Sequence, residues 1–87
     1  MAYTVHIAPA AERQLKILPK PTQSQISKRL LKLEVNPRPS GVKKLEGEKD
    51  LYRLRVGDFR VIYTIRDREL IVLIVKIGHR REIYRQS

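Results

Sequence analysis

Arg53, Arg55 and Arg60 flank a Gly57-Asp58 pair in the stretch LYRLRVGDFRVIY, residues 51–63. Glycine then aspartate between two apolar, β-rich arms predicts a two-residue hairpin turn, with type II′ favoured because glycine comes first. Counting outward from that turn puts Val56 opposite Phe59, Arg55 opposite Arg60, Leu54 opposite Val61, Arg53 opposite Ile62 and Tyr52 opposite Tyr63. Side chains alternate across a strand, so Tyr52, Leu54, Val56, Phe59, Val61 and Tyr63 share a core-like face and the arginines share the other. Two guanidinium groups in a direct cross-strand pair repel, at a cost comparable to the roughly 0.2–1 kcal/mol that a favourable pair contributes. An anion between them would turn that repulsion into binding; a solvated, salt-screened basic face is the alternative. The chemistry such a cluster supports is charge stabilisation at a phosphate, which the planar arginine fork matches bidentately, and not general base catalysis, because guanidinium stays protonated.

The tail GHRREIYRQS supplies the remaining candidates. A turn through Asp67-Arg68 would return the chain as a last strand over Leu70 to Ile77, with Ile77 opposite Asp58, so that His79 and Arg80 emerge beside Arg55 and Arg60. His79 and Tyr84 are then the nearby groups suited to proton transfer or base stacking; a histidine at a helix start with no catalytic part is the structural alternative for His79. Lys43, Lys44, Lys49 and Arg81 are candidate RNA-backbone contacts, although Glu46, Glu48 and Asp50 dilute the lysine signal. No carboxylate pair, glycine-rich phosphate loop or Ser/His/Asp set accompanies them, so neither a metal nor a cofactor is expected. Metal-free RNA cleavage fits: the ribose 2′-hydroxyl attacks its own 3′-phosphate while the protein splays the backbone, stabilises a highly charged phosphorane and manages two protons.

The elements that must position these residues follow from periodicity. Tyr3, Val5 and Ile7 alternate with polar neighbours as a first strand. Ala8, Ala11, Leu15 and Leu18 recur at helical spacing after Pro9, and Pro19 with Pro21 ends that segment. Thr22 with Gln25 matches a capping box, and Ile26, Leu30 and Leu33 form the stripe of a second helix ending near Asn36-Pro37. Residues 36–50 read as a charged loop anchored by Leu45. The run Leu70 to Val75 is apolar on both faces and belongs in the middle of the sheet. The expected fold is α+β, β-α-α-β-β-β: a mostly antiparallel four-stranded sheet with an N-terminal antiparallel helix pair packed on one face.

With 87 residues, one domain over 1–87 is expected. Without cysteine there is no disulfide, and two histidines hardly furnish a zinc site. No apolar run is long enough to span a membrane and the N-terminus lacks a signal-peptide layout, so a cytoplasmic location is expected, with no membrane partner. The formal charge of +10 implies a polyanionic partner. Seven of the ten basic residues in 1–50 are lysine, whereas eight of the nine in 51–87 are arginine, which makes the second half the phosphate-handling half.

The composite of KLEG, LYRLRVGDFRVIY and IGHRREIYR on this element order resembles the RelE/ParE superfamily of bacterial and archaeal toxins over nearly the whole chain. The resemblance implies a ribosome-dependent, metal-independent endoribonuclease that cleaves messenger RNA in the ribosomal A site, monomeric when free and held inactive in a hetero-oligomer by a cognate acidic, RelB-like antitoxin. It further implies that Arg60 and Arg80 contact the scissile phosphate and that Tyr84 stacks on or orients the nucleotide. Arg53 and Arg55 stand where the best-known RelE enzymes carry lysine. Arginine cannot act as a base there, so the base would be His79, Tyr84, a ribosomal group or solvent. A ParE-type inhibitor of DNA gyrase and a non-catalytic basic binding module are the competing functions.

Overall fold

The computed structural model describes residues 2–45, 47 and 50–81. The first alternating stretch is β1 (Thr4–Ile7), with Val5 and Ile7 turned inward and Thr4 and His6 exposed. Pro9 opens α1 (Pro9–Lys16), where its missing N–H leaves no bond unmade, and Ala11 and Leu15 are the buried positions of that helix. Pro21 does not stop the chain: it sits in the first turn of α2 (Lys20–Leu33), which starts before Thr22 for that reason. The expected Thr22–Gln25 capping box is therefore absent, and the N-cap is Pro19 with no side-chain cap bond. Gln23 serves the junction instead, its Nε2 donating to the carbonyls of Lys16 and Leu18 at 3.2 and 2.8 Å. The stripe Ile26, Leu30 and Leu33 is buried as its spacing predicts, although α2 ends at Leu33, short of Asn36-Pro37.

Among the described residues the sheet has five strands, not four, in the order β1-β5-β4-β3-β2. The additional strand, β2 (Lys43–Lys44), lies inside the expected loop and pairs antiparallel with β3 (Leu51–Val56), Lys43 opposite Arg53 and Lys44 opposite Tyr52. Two lysines carry no apolar alternation by which a strand is recognised, and lysine suits an edge because it discourages further pairing. β3 and β4 (Phe59–Arg66) hold the expected register from Val56↔Phe59 to Tyr52↔Tyr63. Gly57 has φ 60° whereas Asp58 has no positive φ, the type II′ pattern.

β5 (Ile71–His79) is interior, antiparallel to β4 and parallel to β1, as its two-sided apolarity predicts. Its register departs from expectation in two steps. The preceding turn spans Asp67–Leu70 instead of two residues, with Leu70 held at φ 56° while its carbonyl accepts the Thr4 N–H at 2.8 Å. Next, Tyr63 pairs with Ile74 but Ile62 pairs with Lys76, so Val75 is an extra residue, a β-bulge. Ile77 consequently faces Val61, not Asp58. The buried positions of β5 change parity at the bulge, from Val72 and Ile74 to Ile77.

Both helices cover one sheet face, where Ala11, Leu15, Ile26, Leu30 and Leu33 meet Leu54, Val61, Tyr63, Ile74 and Ile77 in a single core. Beyond Ile74, β5 outruns β1, and α1 closes its flank: the Gln14 side-chain oxygen accepts the Ile77 N–H at 2.8 Å. Gln14→Leu is expected to cost about 1–3 kcal/mol in denaturant unfolding, since it strands a partly buried backbone donor.

At the end of the sheet away from Gly57, Asp67 accepts bonds from Arg38 Nη1 and Nη2 at 3.1 and 2.9 Å and from the Tyr3 hydroxyl at 2.8 Å. Arg38 also donates from Nε to the Tyr52 hydroxyl at 3.2 Å and lies 5.3 Å from that ring's centroid. Tyr52 stacks on Tyr63, whose hydroxyl donates to the Pro37 carbonyl at 2.8 Å. This strap joins the entry to β1, the segment after α2 and the β4–β5 turn. The Arg38 bond, then the Tyr3 bond, holds the Asp67 carboxyl down at about 2, against an ordinary value of 3.8. Because the folded value is depressed, the strap contributes stability above about pH 4 and loses it as pH falls through about 2. Unfolding measured from pH 6 to pH 2 should show wild type above Asp67→Asn at the upper end and the two converging at the lower.

Candidate phosphate-binding site

The hairpin turn fixes the centre of the site. In a two-residue hairpin the pair next to the turn is hydrogen-bonded and the following pair is not, so Arg55 and Arg60 form the closer kind of pair, with Cα atoms about 4.5 Å apart. Both guanidinium groups are tethered to one oxygen: the Gly57 carbonyl accepts from Arg55 Nε and from Arg60 Nη1, each at 3.3 Å. Arg60 Nη1 also donates to the Phe59 carbonyl at 3.1 Å. Arg60 is only 7% exposed, an unusual state for an arginine and one that fixes its remaining donors in direction. On its β5 side Arg60 pairs with Gly78, which has no side chain to cover it.

Lys43 and Arg53 complete the arrangement. A cavity of about 200 Å³ is lined, among the described residues, by Gly41, Lys43, Arg53, Arg55 and Arg60, of which four are cations. Among the described residues the ion pairs are Lys16–Glu12 and Arg38–Asp67, so acidic side chains neutralise neither Arg55 nor Arg60. Such a site can hold an anion with several oxygens and stabilise charge that develops on it. Among the described residues no group of His, Cys, Asp or Glu could hold a metal ion.

Other candidates are placed differently. Lys44, one residue from Lys43, belongs to the opposite face beside Tyr52. His79 pairs with Phe59 and so lies on the helix-covered face, its ring edge-on to Phe59 at 5.6 Å. Its Nδ1 accepts the Arg81 N–H at 3.2 Å, capping the helical turn that begins at Arg80. The structure thus does not bring His79 into the cavity, and the three-residue error in the expected β5 register is the reason. The Arg80 N–H donates to the Asp58 carbonyl at 2.9 Å, which ties the exposed Arg80 to the same end of the sheet as the arginine pair. Arg81 is exposed. Lys49 and Tyr84 lie outside the described residues. Lys76, absent from the candidates drawn from sequence, stands on the arginine face opposite Ile62.

Residues 5–84 match the family described as the ParE toxin of type II toxin-antitoxin systems, parDE. This chain belongs to the RelE/ParE toxin family. The toxin is similar to the RelE-RelB complex structure from Pyrococcus horikoshii OT3, with 36% identity, a TM-score of 0.81 and coverage of 92% of this chain and 97% of that one. It is similar as well to the RelBE2 toxin-antitoxin complex from Mycobacterium tuberculosis, at 28% identity, TM-score 0.82 and coverage of 92% and 100%. In sequence it is 28% identical to the mRNA interferase toxin RelE of Escherichia coli K12, over 100% of this chain and 95% of that protein. The toxin shares with these structures an α+β fold of two helices and a sheet.

Proposed function

We propose that this toxin is a metal-independent endoribonuclease that cleaves messenger RNA in the ribosomal A site. The observation that carries the reading is the opposed, carbonyl-tethered pair Arg55 and Arg60 in a cavity that Lys43 and Arg53 also line. With one phosphate oxygen on each fork, the pair would stabilise the dianionic phosphorane formed when the 2′-hydroxyl attacks, and Arg53, Lys43 and Arg80 would hold the flanking backbone. Arg60 gains most from preorganisation, because its burial leaves little to reorganise when charge develops. Proton transfer falls to a ribosomal group, solvent or Tyr84, since the described residues of the cavity lining include no histidine and arginine stays protonated. The likeness to a protein named as an mRNA interferase supports the chemistry.

The partner under this reading is an acidic antitoxin, as the RelB chains of the similar complexes suggest. A formal charge of +10 would steer it, and the exposed Leu31 and Val35 beside the Lys28 and Lys32 side of α2 offer apolar surface with a basic rim. The family match is to a ParE description, which keeps gyrase inhibition as the second reading. One paired assay decides: purified toxin is added to ribosomes programmed with a defined message and, separately, to a DNA gyrase supercoiling reaction. Cuts in the A-site codon with normal supercoiling support cleavage; intact message with blocked supercoiling overturns it in favour of the ParE-type reading.

A further inference from the structure

The bulge at Val75 carries an inference that rests on the phosphate-site reading and extends it. Without an extra residue, continuing the Tyr63↔Ile74 register would set Val75 opposite Ile62, Lys76 opposite Val61 and Ile77 opposite Arg60. Lys76 would then enter the core and Ile77 would crowd the buried arginine. The bulge reverses both: Ile77 is fully buried in the core, Gly78 stands beside Arg60, and Lys76 joins the arginine face. Re-aiming a side chain next to a functional site is a recurrent use of bulges.

The result is a cross-strand row on the arginine face, Lys43–Arg53–Ile62–Lys76, running from edge strand β2 to interior strand β5. It lies two residues along the strands from the Arg55–Arg60 pair, about 7 Å away, and its ends are three strand spacings apart, about 14 Å. Ile62 sits at the centre of this row, outside the helix-covered core, yet is only 6% exposed. Among the described residues no carboxylate pairs with Lys43 or Lys76. We propose that Lys76 is a second phosphate-binding residue, turned onto the arginine face by the Val75 bulge, so that a single-stranded RNA crosses the strands from β2 to β5 with its neighbouring phosphate on Lys76.

Binding of non-cleavable 2′-deoxy oligonucleotides with one or four phosphates, measured by fluorescence anisotropy across a salt series, tests this. Lys76→Met keeps an unbranched side chain opposite Ile62 and removes the charge. It should lower the slope of log affinity against log salt for the four-phosphate probe by about 0.7, so that a fourfold rise in salt costs this variant about 2.6-fold less affinity than it costs wild type. Affinity for the one-phosphate probe should stay within twofold, and Lys76→Arg should restore the slope. Arg60→Ala should weaken both probes. A wild-type slope in Lys76→Met, alongside weakened binding in Arg60→Ala, overturns the Lys76 assignment and leaves the phosphate site standing. Wild-type binding in both variants overturns the site itself and the assignment with it. Equal melting temperatures for Lys76→Met and Lys76→Arg show that charge alone separates them.

Discussion

Arg60→Ala is expected to reduce single-turnover cleavage on programmed ribosomes by roughly a hundredfold or more, the usual consequence of losing one preorganised donor to a developing oxyanion. Relief of repulsion at Arg55 would by itself favour the variant's stability. Burial decides otherwise: Arg60 is 7% exposed and bonded to the Gly57 and Phe59 carbonyls, so its removal leaves a void and weakens the turn, at about 1–3 kcal/mol. Arg55 is exposed, with a single bond to Gly57, so Arg55→Ala should lose less activity and leave the melting temperature near wild type. The double variant should cost less than the sum of the two, because both forks act on one phosphate. Cleavage and thermal melts of the three proteins side by side check all of this, and normal cleavage by Arg60→Ala would remove the hairpin from the chemistry.

The largest loss of stability is expected at Tyr63. Its side chain is fully buried, stacks on Tyr52 and donates to the Pro37 carbonyl. Burial, with Tyr52 beside it, also raises the pKa of its phenol, which keeps the hydroxyl a donor throughout the accessible pH range. Truncating a buried aromatic to alanine costs about 3–5 kcal/mol. An 87-residue domain has roughly 4–13 kcal/mol in total, so Tyr63→Ala should leave a visible unfolded fraction at 37 °C. Tyr63→Phe keeps the packing and removes only the bond to Pro37, at about 1–3 kcal/mol. Equilibrium unfolding in urea separates the two; a Phe variant as damaged as the Ala variant would mean that the hydroxyl, not the ring, holds the loop.

The hairpin was legible from sequence because its information is local: a Gly-Asp turn, strict alternation and a two-residue count set every pair from Val56↔Phe59 to Tyr52↔Tyr63. The buried stripes of both helices were legible for the same reason. What escaped was non-local or lacked a pattern. β2 is two lysines whose strand character comes only from their partner. The strap through Arg38 and Asp67 joins residues 29 positions apart, and nothing in their neighbourhoods marks them as a pair. The β5 register failed because Leu70 to Val75 is apolar at every position, so neither the four-residue turn nor the bulge leaves a mark in the hydrophobic pattern there. The one available signal is further on: burial of Ile77 requires odd-numbered positions to face inward, while Val72 and Ile74 require even ones. That conflict implies an inserted residue, and with it Lys76 on the arginine face and His79 away from it.

The parallel pairing of β1 with β5 has a consequence for how the toxin comes into being. Thr4–Ile7 are synthesised well before their sheet partners, Ile71–Ile74. At about 5–20 residues per second, both helices are complete on the order of 2–8 s before β5 exists. Through that interval Val5 and Ile7 have no strand to pair with, and Ala11 and Leu15 lack Ile74 and Ile77 beneath them. Closing so distant a contact late makes folding slow compared with a locally paired domain of the same size. The completed sheet is therefore a property of the finished chain, and a nascent copy is not yet the molecule that its own sequence encodes.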